Sequence, residues 1–201
     1  MKNLVSKIVF FFISSHLLVA QIPSFGKEAA NAYPDYLFEI TKVMVHDVIS
    51  PPAAARYYAY ACLAGYLAVK VHGTSNTPDF TLKLNGYKPI EYRPDPKSNA
   101  SLASTYAMLD VARQLLPSGE NLSDVLDQLS TDYKKKYKLS NKEITASIDA
   151  AKSISSHVMT YAKEDHFNEL SAKINYTPKP GPGYWYPTPP AYMAAIEPNW
   201  Q

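Results

Sequence analysis

The stretch Ser140-Asn-Lys-Glu-Ile-Thr-Ala-Ser-Ile-Asp-Ala-Ala-Lys-Ser-Ile-Ser-Ser-His-Val-Met-Thr-Tyr-Ala-Lys163 decides the fold class of this chain. Its apolar side chains recur every three or four residues, which is the spacing of one face of an α-helix. Ser140 followed by Glu143 is the sequence pattern of a capping box, which begins a helix. The pattern therefore predicts an amphipathic helix over residues 141–163. Its apolar positions are Ile144, Ile148, Ala151, Ile154, Val158 and Tyr161.

Four more segments have helical character, at about 35–48, 51–71, 99–116 and 122–138. Ser50 followed by Pro51 is typical of a helix start, and Gly73 of a helix end. The stretch Tyr57–Val69 carries no charge, which indicates a helix buried on most sides. The positions that share a face in the other three helices are Leu37, Ile40, Met44 and Val48; Leu102, Tyr106, Leu109 and Leu116; and Leu122, Val125, Leu129, Tyr133 and Tyr137.

Proline separates the helical parts of the chain from the irregular ones. Residues 118–177 contain no proline, whereas residues 74–97 contain four and residues 178–201 contain seven. Proline lacks the backbone N–H of a helix and clashes with the preceding turn. We therefore expect an irregular connection over 74–97, with a small hairpin at Asn85-Gly86, and an extended carboxyl-terminal segment. No segment alternates convincingly with period two. The fold class predicted is all-α, a bundle of about five helices with an extended Pro-rich carboxyl-terminal segment.

Composition excludes several classes of protein. The chain has 201 residues, 46% apolar and 19% charged, which is typical of a globular protein and not of a disordered one. Its formal charge of +2 comes without a marked basic patch, so nucleic-acid binding has no support. A single cysteine excludes an internal disulfide and a four-thiolate zinc site within one chain.

The amino terminus has the layout of a secretory signal peptide. Lys2 and Lys7 precede an apolar run that continues, interrupted by Ser14-Ser15-His16, to Ala20. We expect cleavage after Ala20 and export to the periplasm or the extracellular space, with no membrane span in the mature protein; the alternative is a retained anchor. The predicted domains are a signal peptide over 1–20, a helical domain over 21–176 and the Pro/aromatic-rich segment over 177–201.

Two local strings resemble a known family. Ile49-Ser-Pro-Pro-Ala-Ala-Ala-Arg-Tyr-Tyr-Ala-Tyr60 is similar to an early helix of vanadium-dependent haloperoxidase-like proteins, which share a superfamily with type 2 phosphatidic acid phosphatases. Gly183-Tyr-Trp-Tyr-Pro-Thr-Pro-Pro190, followed by Glu197-Pro-Asn-Trp200, resembles the strings that join the family's amino-terminal helices to its catalytic half. The resemblance implies an exported, mostly helical protein. It also implies that complete relatives bind vanadate or phosphate and either oxidise halide with peroxide or hydrolyse phosphate esters, by stabilising an oxyanion with cationic donors and a histidine.

The three catalytic motifs that the resemblance implies are missing from this sequence. Arg93-Pro94 has Gly86 where the first motif has a lysine. Pro117-Ser118-Gly119 is followed by Glu120 where the second motif has a histidine, and it is predicted to end a helix instead. No arginine is followed by a histidine six positions later, as the third motif requires. We therefore expect no catalytic, cofactor-binding or metal-ligating residue here, and the expected partner is a catalytic half that this chain lacks.

The remaining chemistry-bearing residues are predicted to be structural. Arg56 could contact an anion, but pairing with an acid or extending to solvent is the more economical interpretation. The isolated histidines lack the spacing of metal ligands, and Cys62 is expected to be a small buried hydrophobe. Lys134-Lys135-Lys136 is expected to be a solvated helix face. The histidines concerned are His46, His72, His157 and His166.

The aromatic residues of the carboxyl-terminal segment leave a second hypothesis open. Tyr184, Trp185 and Tyr186 are expected to pack the segment against the helices. They could instead form a binding platform for carbohydrate or peptide, in which case the chain would be a complete secreted helical binding module. The sequence does not distinguish a peroxidase from a phosphatase among complete relatives, and it does not identify the substrate or the oligomeric state.

Overall fold

The computed structural model describes residues 24–73, 79–174 and 176–192. The predicted signal peptide lies outside these residues. The described part contains helices and two 3₁₀ turns, Phe80–Lys83 and Gly119–Leu122, and no strand, so the predicted all-α class is confirmed. The helices are α1 Ser24–His46, α2 Pro51–Val71, α3 Ala100–Leu115, α4 Ser123–Lys136, α5 Asn141–Lys163 and the short α6 Phe167–Ser171. None of these described helices combines the length and apolar character that crossing a bilayer requires.

Helix α3 lies at the centre of the bundle and contacts α1, α2, α4 and α5. Its two sides enter two hydrophobic cores. Leu102, Met108 and Leu109 pack with α1 and α4, while Ala107 and Val111 pack with α2 and α5. All five side chains are inaccessible to solvent. Burial on both sides explains why the bundle is arranged around this helix, since hydrophobic stabilisation grows with the apolar area removed from water.

The predicted boundaries of α2, α3 and α5 agree with the structure, and local hydrogen bonds define the starts of α3 and α5. Asn99 precedes α3, and its side chain accepts a hydrogen bond from the Leu102 N–H at 3.0 Å. Before α5, the Glu143 N–H donates to the Ser140 hydroxyl at 3.3 Å and the Ser140 N–H donates to the Glu143 carboxylate at 2.8 Å. This is the complete capping box that the sequence predicted.

The first helix differs from its prediction over 35–48. Helix α1 begins at Ser24 and passes through Pro34. Ala29 is buried, and the Tyr33 hydroxyl lies over Gly65 of α2, where an added Cβ would be only 2.1 Å away. This packing outweighs the hydrogen bond that proline removes, since tertiary contacts override local propensity. The prediction that Val48 shares the buried face is wrong, because Val48 follows the helix end, has φ 50° and is 87% exposed.

The connection between α2 and α3 is irregular, as predicted, but the hairpin is not formed. Asn85-Gly86 makes a turn with Gly86 at φ 70°, and no strand flanks it. Asp79 caps the 3₁₀ turn through the Thr81 N–H at 3.1 Å and forms an ion pair with Lys70. Side chains of this connection, among them Leu84 and Ile90, pack on the second core. A segment with proline and few donors gains more from this packing than from pairing two short strands.

Candidate functional site

Arg56, in the second turn of α2, holds the best-defined polar cluster of the described chain. Its Nε donates to Asp165 Oδ2 at 2.6 Å and its Nη2 donates to Asp165 Oδ1 at 3.2 Å, which is a bidentate pair. Nη2 also donates to the Ala162 carbonyl at 3.1 Å. The Arg56 side chain is only 15% exposed. The guanidinium therefore joins α2 to the loop between α5 and α6.

Aromatic rings surround the Arg56 guanidinium. Its central carbon lies 5.6 Å from the Tyr57 ring centroid, 5.1 Å from that of Tyr60 and 4.5 Å from that of Phe167. The Tyr60 hydroxyl donates to Asp165 Oδ2 at 3.0 Å, and the Phe167 N–H donates to Asp165 Oδ1 at 2.9 Å. Three rings and two further donors thus enclose one ion pair, and cation–π attraction adds to the charge pairing.

The electrostatics of this cluster keep the pair ionised. Burial acts to raise the pKa of Asp165, but hydrogen bonds from Arg56, the Phe167 backbone and Tyr60 outweigh it and hold that pKa below its usual range. Burial, followed by the bond to Asp165, raises the pKa of Tyr60 to about 12. The two donor nitrogens of the Arg56 guanidinium bind the Asp165 carboxylate of the same chain. The structural interpretation of Arg56 is confirmed, and the cluster fastens the bundle.

Three of the described histidines, His46, His72 and His166, have hydrogen-bonding partners close by. His46 Nδ1 lies 3.0 Å from Asp47 Oδ1. Asp47 follows the end of α1, where the chain can turn back toward His46. His72 Nε2 lies 2.9 Å from the Ser98 hydroxyl, and His166 Nδ1 lies 3.1 Å from Glu169 Oε1. Within the described residues, no three His, Cys, Asp or Glu side chains come together as a metal site would need.

His157 and Tyr87 form the unusual pair of the second core. Their rings meet edge to face at 5.5 Å. His157 Nε2 and the Tyr87 hydroxyl are buried, and neither atom has a hydrogen-bond partner among the described residues. A buried polar atom without a partner costs about 1–3 kcal/mol. This pair is therefore a place where the bundle is less stable than its packing allows.

We expect Tyr87→Phe to raise the free energy of unfolding by about 1 kcal/mol, because it removes an unpartnered hydroxyl and keeps the ring contacts. Tyr161→Phe is the matched control. The Tyr161 hydroxyl donates to the Asn85 carbonyl at 2.8 Å, so its removal should lower stability slightly. Urea unfolding followed by circular dichroism measures both. A Tyr87→Phe protein less stable than the wild type would contradict the expectation.

The prediction that Cys62 is buried is wrong, because Cys62 is exposed. It lies on the outer side of α2 with Ala59 and Ala55, one and two turns earlier respectively, which are exposed as well. An uncharged helix gives no signal for which side faces solvent. Partial burial raises the pKa of the Cys62 thiol, which is the opposite of the activation that a nucleophilic cysteine needs.

The aromatic side chains of the extended segment are largely exposed, whereas we predicted that they pack against the bundle. The described part, which we call the strap, is residues 176–192 and has no regular helix. Tyr184, Trp185 and Tyr186 are 55%, 46% and 64% exposed. The Trp185 ring meets the ring of Tyr176, another residue of the strap, with 6.1 Å between the centroids. Contacts close in sequence cost less chain entropy than a return to the bundle. Trp200 lies outside the described residues.

The string Pro117-Ser118-Gly119 ends α3, as predicted. Gly119 is buried and begins a 3₁₀ turn, and an added Cβ would lie 1.9 Å from the Arg113 carbonyl oxygen. Glu120, which stands where the second family motif has a histidine, faces solvent and contacts Arg113 at 3.4 Å. Lys134, Lys135 and Lys136 are exposed at the end of α4, in agreement with a solvated face.

Comparison with known proteins agrees with the resemblance seen in the two strings. No family model and no curated protein matches the sequence. The structure is similar to the crystal structure of the first bacterial vanadium-dependent iodoperoxidase, with a TM-score of 0.70 and 29% identity. The match covers 86% of this chain and 40% of that one, so this chain spans about two fifths of the protein it resembles. The likeness to the superfamily of haloperoxidases and type 2 phosphatidic acid phosphatases is confirmed for the helical domain.

Proposed function

We propose, from this haloperoxidase-like helical domain, that the chain is the helical portion of an exported haloperoxidase-like or phosphatase-like protein and carries no catalysis by itself. The observation that carries the proposal is the presence of both matching strings together with the absence of all three oxyanion motifs from the sequence. Catalysis of either kind depends on cationic donors placed around the developing oxyanion charge. A chain without these donors would provide a structural scaffold and would not catalyse either reaction.

The Arg56 cluster supports this proposal. Arg56 belongs to the first matching string, and its donors are occupied by Asp165 and the Ala162 carbonyl. Arginine is the residue type best suited to bind vanadate or phosphate bidentately. Here the guanidinium of Arg56 joins two parts of the helical fold instead. The string would thus hold the scaffold in shape while a separate catalytic half supplies the oxyanion site.

The exposed strap supports the same proposal. Trp185 and its neighbours Tyr184 and Tyr186 place large apolar rings in solvent. Contiguous exposed apolar surface is typical of a site for another protein surface. In the proposed arrangement these rings would be covered by the catalytic half.

An activity assay tests the proposal directly. The purified chain is incubated with a chromogenic phosphate ester, and separately with iodide, peroxide and added vanadate. We expect no turnover above buffer in either assay, with a complete haloperoxidase as the positive control. Turnover that persists through purification and is lost on Arg56→Met would contradict the proposal, because it would place oxyanion chemistry in this chain.

The exposed strap also favours a second candidate, a secreted binding module that uses these rings as its platform. The two candidates differ in what happens at Trp185. A scaffold predicts a blue shift of Trp185 emission, measured as the difference between wild type and Trp185→Phe, when the separately produced catalytic half of a complete relative is added. A binding module predicts no such shift, and a shift with an oligosaccharide or a peptide instead.

A further inference from the structure

A groove between α3 and α5 gathers positive charge on a chain that is otherwise nearly neutral. It is an open groove with a volume of about 350 Å³. One wall comes from the last turns of α3, and the other follows the exposed side of α5 over three turns. The lining residues are Asp110, Arg113, Gln114, Lys152, Ser156, Met159, Thr160 and Lys163.

The only carboxylate in the lining is neutralised. Asp110 is 7% exposed, and its Oδ1 accepts from Arg113 Nη2 at 2.9 Å and from Nε at 3.3 Å. Its Oδ2 accepts from Gln114 Nε2 at 2.9 Å. Arg113 therefore balances Asp110, and the wall offers no free negative charge that would repel an anion.

The two lysines leave a net positive charge in the groove. Neither Lys152 nor Lys163 has an ion pair among the residues that the structure describes. Both are exposed, as is Ser156 between them. Thr160 donates its hydroxyl proton to the Ser156 carbonyl at 2.9 Å, so Ser156 is the hydroxyl donor still available. Arg113 adds Nη1, whose partner Glu120 lies at 3.4 Å and is 81% exposed.

The spacing of these donors selects the shape of the ligand. Lys152 and Lys163 are eleven positions apart on one helix, which corresponds to about 16 Å along its axis. That separation is larger than one tetrahedral ion, so both ammonium groups would contact it together only if the two side chains bent toward each other along the helix. An elongated molecule with negative charge along its length can contact Lys152, Ser156 and Lys163 in turn.

We propose that this groove binds an elongated polyanion of the linear polyphosphate class. Ammonium groups bind phosphate oxygens as point charges, and a hydroxyl between them donates to a bridging unit. This site is separate from the missing oxyanion motifs and does not rest on the proposed function, because it acts by binding alone.

Calorimetric titration of the full chain with inorganic tripolyphosphate tests this. We expect the wild type to bind tripolyphosphate. We expect the double variant Lys152→Gln, Lys163→Gln to bind it about tenfold more weakly, because the loss of each lysine should weaken binding about threefold. The matched control is Lys134→Gln, Lys135→Gln, which removes the same charge from the end of α4 and should change the affinity less than about twofold. Orthophosphate should bind at least about tenfold more weakly than tripolyphosphate.

Each alternative outcome contradicts the proposal. Equal weakening by both double variants would show general charge attraction. Absence of binding to the wild type would show that the groove is only a solvated face. Equal or tighter binding of orthophosphate would indicate a single-ion site. Backbone amide shifts of residues 110–114 and 152–163 locate the ligand and show that the variants remain folded.

Discussion

Asp165→Asn is expected to lower the free energy of unfolding by about 3 kcal/mol, because it leaves the Arg56 guanidinium in an aromatic enclosure without its counter-charge. The pair is bidentate, with distances of 2.6 and 3.2 Å, and Arg56 is 15% exposed. Urea unfolding measures the loss. The matched control is Lys42→Met, which breaks an exposed pair with Glu39 at 2.7 Å and should cost less than about 0.5 kcal/mol.

The pH dependence of stability identifies the charge as the cause. The folded pKa of Asp165 lies below its unfolded value of about 3.9. Its stabilisation is therefore fully present above that value and is lost as the pH falls through the lower folded pKa. The difference in stability between wild type and Asp165→Asn should shrink as the pH falls below about 4. A difference that stays constant from pH 7 to below pH 3 would show that packing and not charge is responsible.

Gly119→Ala is expected to destabilise the fold by about 3 kcal/mol, since the new methyl group would lie 1.9 Å from the Arg113 carbonyl oxygen and 2.6 Å from its carbon. Both atoms belong to the backbone at the end of α3, so a side-chain rotation cannot relieve the overlap. Thermal or urea unfolding measures the effect.

Gly86→Ala is the control for Gly119→Ala. Gly86 has φ 70° but nothing within 4 Å of an added Cβ, so its cost is the backbone strain of about 1 kcal/mol. If Gly119→Ala were no more destabilising than Gly86→Ala, the close approach described for the turn after α3 would be wrong. If Gly119→Ala left the free energy of unfolding unchanged but altered turnover in the phosphate-ester or iodide assay, the string Pro117-Ser118-Gly119 would belong to an active site.

Local signals predicted the parts of the fold that local hydrogen bonds determine. The capping box at Ser140 fixes the start of α5, and the apolar spacing behind it fixes the face that packs on α3. The first helix was predicted too short because Pro34 is a strong local signal, whereas Tyr33 gains its packing from Gly65, distant in sequence. Helix propensity depends on residues close in sequence, so it carries no information about a contact between residues 32 positions apart.

The candidate site was harder to predict for the same reason. Arg56 stood out as a charge in an apolar helix, but its partner Asp165 lies 109 positions away and no spacing rule connects them. The groove between Arg113 and Lys163 was missed because its charges come from two helices whose relative placement only the tertiary structure gives. The absence of the family's catalytic motifs, in contrast, is a property of the sequence and needs no structure to be seen.

The central position of α3 also governs how the bundle can come apart. Because this helix supplies side chains to both hydrophobic cores, we expect the two cores to open together. The amide protons of α3 should therefore exchange with solvent only through global unfolding. We therefore expect the described helices to unfold as one cooperative unit, and a fragment that stops before residue 100 would lack the helix against which α1 and α2 pack.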